Sequence, residues 1–157
     1  MTWDADWFMP AQAYDWTCSV CSVTWVLQAT ATAFQESDIY DARYAVGEEM
    51  GVPSCVNPTY GAMSDRCVID ELARYGLLAR QAHVTFEQAF AIAREYTGTI
   101  NPQGMYHFMA LRGVNVDGSI AVANSAQGYC GVYSSLTRER FNALGPVSVI
   151  YGERRAQ

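Results

Sequence analysis

The first third of the chain contains a long segment without any charge. No residue from Thr17 to Gln35 is charged, and the run that begins at Cys18 is apolar on every side of a helix. A helix of this kind is usually buried in the core of a domain. The pattern therefore predicts a buried helix that begins near Cys18.

Four amphipathic segments, each preceded by a capping residue, predict further helices. Thr85 and Gln88 have the spacing of a capping box, in which each side chain bonds the backbone of the other residue. The four segments are 37–50, which Ser37 caps and Gly51 ends; 65–75, which Ser64 caps and Gly76 ends; a helix from the Thr85 cap to Gly98; and a short helix around Phe141 that Thr137 caps.

Alternating apolar residues in the second half of the chain predict strands. Residues 105–112 and 119–124 form a hairpin, because Asp117-Gly118 supplies the positive φ that a tight turn needs. The other extended segments are 77–84 and 146–151, and residues 53–63 form a loop. Helices that come first and strands that come last indicate an α+β fold, with the buried helix packed on a C-terminal antiparallel sheet.

Length and composition fit one domain over residues 1–157, with 50% hydrophobic and 13% aromatic residues. The net charge is −6 and the only basic run is Arg154-Arg155, which argues against a nucleic-acid partner. The N-terminus is acidic where a signal peptide is positive, and no apolar stretch reaches membrane-spanning length. We therefore expect no signal peptide, no membrane insertion and a protein that is cytoplasmic at synthesis; release from the cell or association with a phage stays open as its final site.

The chain has five cysteines, at positions 18, 21, 55, 67 and 130. An odd number leaves at least one thiol free and argues against a fully paired disulfide framework. A reducing compartment is therefore expected, although Cys55 and Cys67 flank a loop and have the option of pairing outside a cell.

Cys18 has the position of a reactive thiol. The thiolate is the nucleophilic form, and the positive end of a helix or a nearby imidazolium lowers the pKa of a cysteine. Cys18 lies where the charged segment that ends at Asp15 gives way to the uncharged helix. Of the two histidines, His107 is the better placed base, because it falls inside a predicted strand whereas His83 falls at the end of an element.

The predicted hairpin places an amide beside His107. A two- or four-residue loop centred near Val116-Asp117 puts position 124 opposite position 109, on the sheet face of position 107. Asn124 and His107 are then diagonal neighbours, about 7 Å apart at the backbone. The amide oxygen would accept the imidazole N–H and leave the other ring nitrogen facing the thiol. Gln12, just upstream of the helix, is the candidate for a side-chain N–H in an oxyanion hole beside the backbone N–H of Cys18.

These four residues resemble the site of papain-like cysteine peptidases. Gln12 precedes Cys18 by six residues and His107 precedes Asn124 by 17, and papain-clan enzymes have Gln, Cys, His and then Asn or Asp in this order. Segments 12–27 and 105–126, together with the compact size, are most similar to the bacteriocin-processing, double-glycine branch, which also includes N-terminal peptidase modules of some phage endolysins. Members of that branch usually have Gly after the nucleophile, where this chain has Ser19.

The resemblance implies a papain-like fold and thiol-dependent hydrolysis of a peptide or related amide bond, without a cofactor. The implied substrate is a peptide or the peptide of bacterial peptidoglycan, and Tyr14 and Trp16 are candidates to line its cleft. The alternative is a papain-fold structural or binding module of a larger assembly with little or no catalysis. Only 17% of the residues are charged and many are aromatic, which would suit a chain that buries surface against protein partners.

Two other interpretations of the cysteines stay open. Cys18 and Cys21 form a Cys-x-x-Cys pair, as in dithiol oxidoreductases, but residues 1–17 lack the buried strand of that context. The four cysteines Cys18, Cys21, Cys55 and Cys67 are the ligand type of a zinc site. Cys18 and Cys21, however, fall in a predicted apolar helix and not in a knuckle turn.

Overall fold

The structure is a computed structural model of the 157-residue chain, and it describes residue 26 and residues 56–57, 62–63, 65–74, 76–103, 107–124 and 132–153. The predicted helix 37–50 and the beginning of the predicted buried helix lie outside these residues. Val26 is helical and fully buried, as expected of a residue in the buried helix.

The described residues form three helices and eight strands. The helices are α1 (Asp65–Arg74), α2 (Phe86–Glu95) and α3 (Arg138–Ala143). The strands are β1 (Val56–Asn57), β2 (Ala62–Met63), β3 (Arg80–Val84), β4 (Tyr96–Pro102), β5 (Met109–Val114), β6 (Ile120–Asn124), β7 (Val132–Leu136) and β8 (Val147–Glu153).

Six of these strands form one sheet in the order β3-β8-β4-β5-β6-β7, and every pair of neighbours in it is antiparallel. A large antiparallel sheet with helices packed on it is an α+β architecture, as the sequence predicts. In the part of the chain that the structure describes, no helix is both long and apolar enough to cross a membrane.

In the described residues, an apolar core lies between one face of the sheet and the helices α2 and α3. Phe86 of α2 meets Phe141 of α3 edge to face, with ring centroids 5.6 Å apart, and joins the two helices above the sheet. The core residues are Phe86, Ala89, Ala93, Ile100, Met109, Leu111, Val114, Ile120, Val122, Leu136, Phe141, Val147 and Val149.

The opposite face of the sheet carries small side chains that are also buried. Ala110, Ala121 and Ala123 are at most 1% exposed, and so are Thr97 and Thr99 of β4. Neither threonine hydroxyl has a hydrogen-bond partner among the described residues. Small side chains allow another layer of the protein to approach a sheet closely.

Three helix ends agree with the local sequence signals that predict them. Thr85 caps α2 in a capping box with Gln88, and Thr137 caps α3 by accepting the N–H of Arg140. At the end of α1 the N–H of Leu77 bonds the Leu72 carbonyl and the N–H of residue 76 bonds the Ala73 carbonyl, which is the Schellman pattern. That pattern needs a left-handed residue, and Gly76 has φ 91°.

Gly98 does not end a helix, contrary to the prediction. The helix α2 ends at Glu95, because Tyr96 already has extended backbone and the β-favouring run from Tyr96 to Ile100 forms β4. A Cβ on Gly98 would overlap with the carbonyl oxygen of Ile150 on β8. The glycine is therefore required by a close approach of two strands and not by a helix terminus.

Two further strand assignments differ from the prediction. The segment 53–63 is not only loop, since β1 and β2 pair within it through Val56↔Met63 and Asn57↔Ala62. Strand β7 was not predicted, because Ser134 and Ser135 interrupt its apolar pattern. The predicted extended segments 77–84 and 146–151 contain β3 and most of β8.

The predicted hairpin is present as β5 and β6, with a three-residue loop. The N–H of Asn115 bonds the Ser119 carbonyl, and the N–H of Gly118 bonds the Asn115 carbonyl. Gly118 has φ 84°, which confirms the positive φ expected at the Asp-Gly pair. Away from the turn, a β-bulge shifts the register between Leu111 and Gly113.

Candidate active site

The structure describes two of the predicted site residues and leaves the others outside its described ranges. His107 and Asn124 lie on the β5–β6 hairpin, and both side chains are half-buried. The residues outside are the predicted nucleophile, its oxyanion partner and the two cleft candidates: Cys18, Gln12, Tyr14 and Trp16.

His107 lies two residues before β5 and not inside a strand, which corrects the prediction. The register Ile100↔Met109, extended by two residues, puts Pro102 opposite His107. The N–H of Gln103 points to the side of β8 and bonds the carbonyl of Pro146, the residue that precedes that strand, at 2.9 Å. Since backbone groups alternate sides along a strand, the nitrogen of Pro102 faces His107, but proline has no hydrogen to donate. The ladder between β4 and β5 therefore ends before His107.

The side chains of His107 and Asn124 are in direct contact. The distance from His107 Nε2 to Asn124 Oδ1 is 2.7 Å, which is short for an N–H···O hydrogen bond. Because an amide oxygen only accepts, Nε2 carries the proton in this assignment and Nδ1 is the acceptor nitrogen of the ring. The contact predicted from the hairpin is present, and it selects the tautomer with a free electron pair on Nδ1.

The residues next to this pair along the chain are apolar and buried. Phe108 and Met109, which follow His107, are 3% and 6% exposed, and Ala123, which precedes Asn124, is fully buried. Neighbours of this kind restrict the backbone on both sides of the contact. The amide therefore holds the imidazole at its Nε2 edge.

Polar side chains fix the turn that connects the two strands of the site. Asp117 Oδ1 accepts hydrogen bonds from Ser119 Oγ and the Ser119 N–H, and these bonds lower the pKa of Asp117. Asn115 Nδ2 donates to Ser119 Oγ at 2.9 Å and to Ser135 Oγ of β7 at 3.0 Å. The network joins β5, β6 and β7 at the end of the hairpin remote from His107.

Asp65 belongs to a polar cluster that sequence analysis did not predict. Its carboxylate accepts hydrogen bonds from Gln81 of β3, Asn101 of β4 at 3.1 Å and Ser148 of β8 at 3.0 Å. The donors lie 16, 36 and 83 residues from Asp65 in sequence, so no local pattern reveals them. The cluster ties the start of α1 to three strands.

The second histidine lies apart from the His107–Asn124 pair, on β3, three strands from β5 in the sheet order. His83 is exposed on the edge strand β3, opposite Ser148. Within the described ranges, no group of three or more His, Cys, Asp or Glu side chains is arranged to hold a metal ion. Of the four cysteines in the zinc hypothesis, only Cys67 falls inside those ranges, in α1.

The chain was compared with known proteins. No protein-family model and no curated protein matches its sequence. Among solved structures, the chain is similar to a double-glycine motif protease from an AMS/PCAT transporter, in complex with the leader peptide, with a TM-score of 0.56 and 17% identity. The match covers 90% of this chain and 89% of that one. At this identity the likeness shows that the two chains share a fold, and it assigns no activity to this chain.

Proposed function

We propose that this protein is a thiol-dependent peptidase with Cys18 as nucleophile, His107 as base and Asn124 as the residue that orients the imidazole. The observation that carries the proposal is the 2.7 Å contact between His107 and Asn124. It gives the imidazole the tautomer that a Cys-His-Asn site needs, with Nδ1 available to accept the thiol proton. The shared fold with a double-glycine motif protease supports it independently.

The chemistry follows from these roles. Nδ1 takes the Cys18 proton, and the sulfur forms a bond to the carbonyl carbon of the substrate while the Gln12 side chain and the Cys18 N–H stabilise the oxyanion. The C–N bond then breaks, and the imidazolium gives its proton to the leaving amine. A water molecule, deprotonated by His107, hydrolyses the thioester and restores the thiol. Tyr14 and Trp16 line the cleft beside the sulfur in this proposal.

The proposed substrate is a peptide. The protein with the shared fold was solved in complex with the leader peptide, which favours a peptide ligand for this chain. The chemistry is the same for the peptide of bacterial peptidoglycan, which the resemblance to endolysin modules suggests. Parallel assays with unstructured peptides and with soluble peptidoglycan fragments distinguish the two substrates. The cleaved amide bond identifies the one that the protein hydrolyses.

Selective alkylation tests the proposal without a known substrate. At about pH 6 an ordinary thiol of pKa about 8.5 is only about 0.3% thiolate, whereas a thiolate–imidazolium pair is mostly ionised. Iodoacetamide should therefore label Cys18 about 10²-fold faster than the other four cysteines, as read by mass spectrometry of the peptides. His107→Ala should abolish the difference, and His83→Ala, which changes the other histidine, should preserve it.

Equal and slow labelling of all five cysteines in the folded wild-type protein would refute the peptidase proposal. It would favour the alternative, a papain-fold module that binds partners in a larger assembly without catalysis. Stoichiometric zinc in the purified protein would also count against a nucleophilic Cys18, because the cysteine sulfurs would then serve as ligands of a closed structural zinc site.

A further inference from the structure

The β5–β6 hairpin has two different registers. Next to the turn Val114 pairs with Ile120, but farther along the strands Ala110 pairs with Ala123. Between these pairs β5 has one residue more than β6, and the extra residue is Arg112. This is a β-bulge, which lets a strand absorb one residue without breaking the pairing on either side.

The register without the bulge would separate the two site residues. Continued from the turn, regular pairing would place Ala110 opposite Asn124, and alternation would then put His107 on the other face of the sheet from Asn124. The same register would turn Arg112 toward the face of Val122, which belongs to the apolar core. A charged side chain there is strongly disfavoured, so the hydrophobic pattern selects the bulged register.

We propose that the bulge at Arg112–Gly113 is the device that brings His107 and Asn124 to one face of the sheet, and that Gly113 is a positioning residue of the site. Gly113 has φ 128°, in the region that L side chains rarely adopt. The proposal rests on the peptidase function for its catalytic meaning, but the geometry it concerns is measurable without catalysis.

Removal of the extra residue gives an unusual prediction. After deletion of Arg112 the two strands match in length, so Leu111 still meets Val122 and the His107–Asn124 contact is retained. Gly113→Ala without the deletion should weaken that contact, because a residue with a Cβ disfavours the positive φ of the bulge. Combining Gly113→Ala with the deletion should restore it, because position 113 then lies in a regular strand opposite Ala121, where alanine matches the small buried side chains of that face.

The tautomer of the His107 imidazole reports whether the contact with Asn124 is present. Long-range ¹H–¹⁵N NMR spectra distinguish a ring protonated at Nε2 from one that exchanges between tautomers. The chain has only two histidines, so His83→Gln assigns the signals of His107. Asn124→Ala provides the spectrum without the contact, and Arg112→Ala shows that the backbone of the bulge matters and not the arginine side chain.

The expected result is an Nε2–H signature in the wild type, in Arg112→Ala, in the deletion variant and in the double variant, and its loss in Gly113→Ala. The alkylation rate of Cys18 should follow the same order, with a decrease on the order of tenfold for Gly113→Ala. If Gly113→Ala does not fold, recovery of folding and signature in the double variant supports the proposal equally.

Simple destabilisation predicts the opposite order, with the double variant worse than either single change. That order overturns the proposal, and so does a deletion variant that is unfolded or folds without the Nε2–H signature. If wild-type Cys18 proves unreactive while the signatures follow the predicted order, the peptidase proposal fails and the role of the bulge in registering the two side chains stands.

Discussion

Loss of the Asn124 amide should slow the reactions of Cys18 without unfolding the protein. Asn124→Ala removes the acceptor that lies 2.7 Å from His107 Nε2. When His107 is protonated beside a thiolate this becomes a hydrogen bond to a charged group, which contributes about 1.5–3 kcal/mol. At about 1.4 kcal/mol for each factor of ten, the expected decrease in the alkylation rate is about 10- to 140-fold. Because both side chains are half-buried and partly screened by solvent, we expect the lower part of that range.

Two control variants make the test specific. Asn124→Asp keeps an oxygen acceptor for Nε2 and should retain most of the rate. Asn142→Ala changes an exposed amide in α3 and should have no effect. The assay is the second-order rate of iodoacetamide labelling at Cys18 at about pH 6, with circular dichroism to verify folding. An Asn124→Ala rate within twofold of wild type, or equal losses in Asn124→Ala and Asn124→Asp, would refute the orienting role.

Three further predictions concern the scaffold of the site. Gly98→Ala should lower the free energy of unfolding in urea by about 1–3 kcal/mol, because the new Cβ forces β4 and β8 apart. An unchanged midpoint of urea unfolding would contradict the close approach of these two strands. Thr99→Val keeps the shape of a fully buried side chain and removes a hydroxyl that has no partner among the described residues. The free energy of unfolding should therefore rise by about 1 kcal/mol. A clear loss of stability would show that the hydroxyl is hydrogen-bonded. Hydrogen bonds from Ser119 lower the pKa of Asp117 in the folded state. The carboxylate therefore stabilises the folded state at a pH above the ordinary carboxyl pKa, and this stabilisation is lost as the pH falls through the lowered pKa of the folded state. Asp117→Asn should therefore lower the Tm at neutral pH, and the difference in Tm between wild type and variant should shrink in acid. A difference in Tm that does not change with pH would show that the carboxylate charge does not contribute.

Local signals in the sequence predicted local features well. The capping box at Thr85, the cap at Thr137 and the helix end at Gly76 each depend on a few neighbouring residues, and all three are present. Gly98 shows the limit of such signals, since a glycine that ends a helix and one that admits a neighbouring strand look alike in sequence. The distinction depends on Ile150, which lies 52 residues later and is brought close only by the sheet. The Asp65 cluster is beyond local prediction for the same reason.

The His107–Asn124 contact was predicted from a hairpin that differs from the real one in two ways. The prediction assumed regular pairing from an even-numbered loop, whereas the loop has three residues and the strand has a bulge at Arg112. Each departure shifts the register by one residue, and the two shifts cancel at Asn124. A hairpin with only one of them would have put the amide and the imidazole on opposite faces of the sheet. The hydrophobic pattern contained the missing information, because Met109 and Leu111 can share the core with Val114 only if one residue between them is absorbed. In a hairpin that carries a catalytic pair, the count of apolar positions on each side of the turn is therefore a stronger guide to register than the length of the loop.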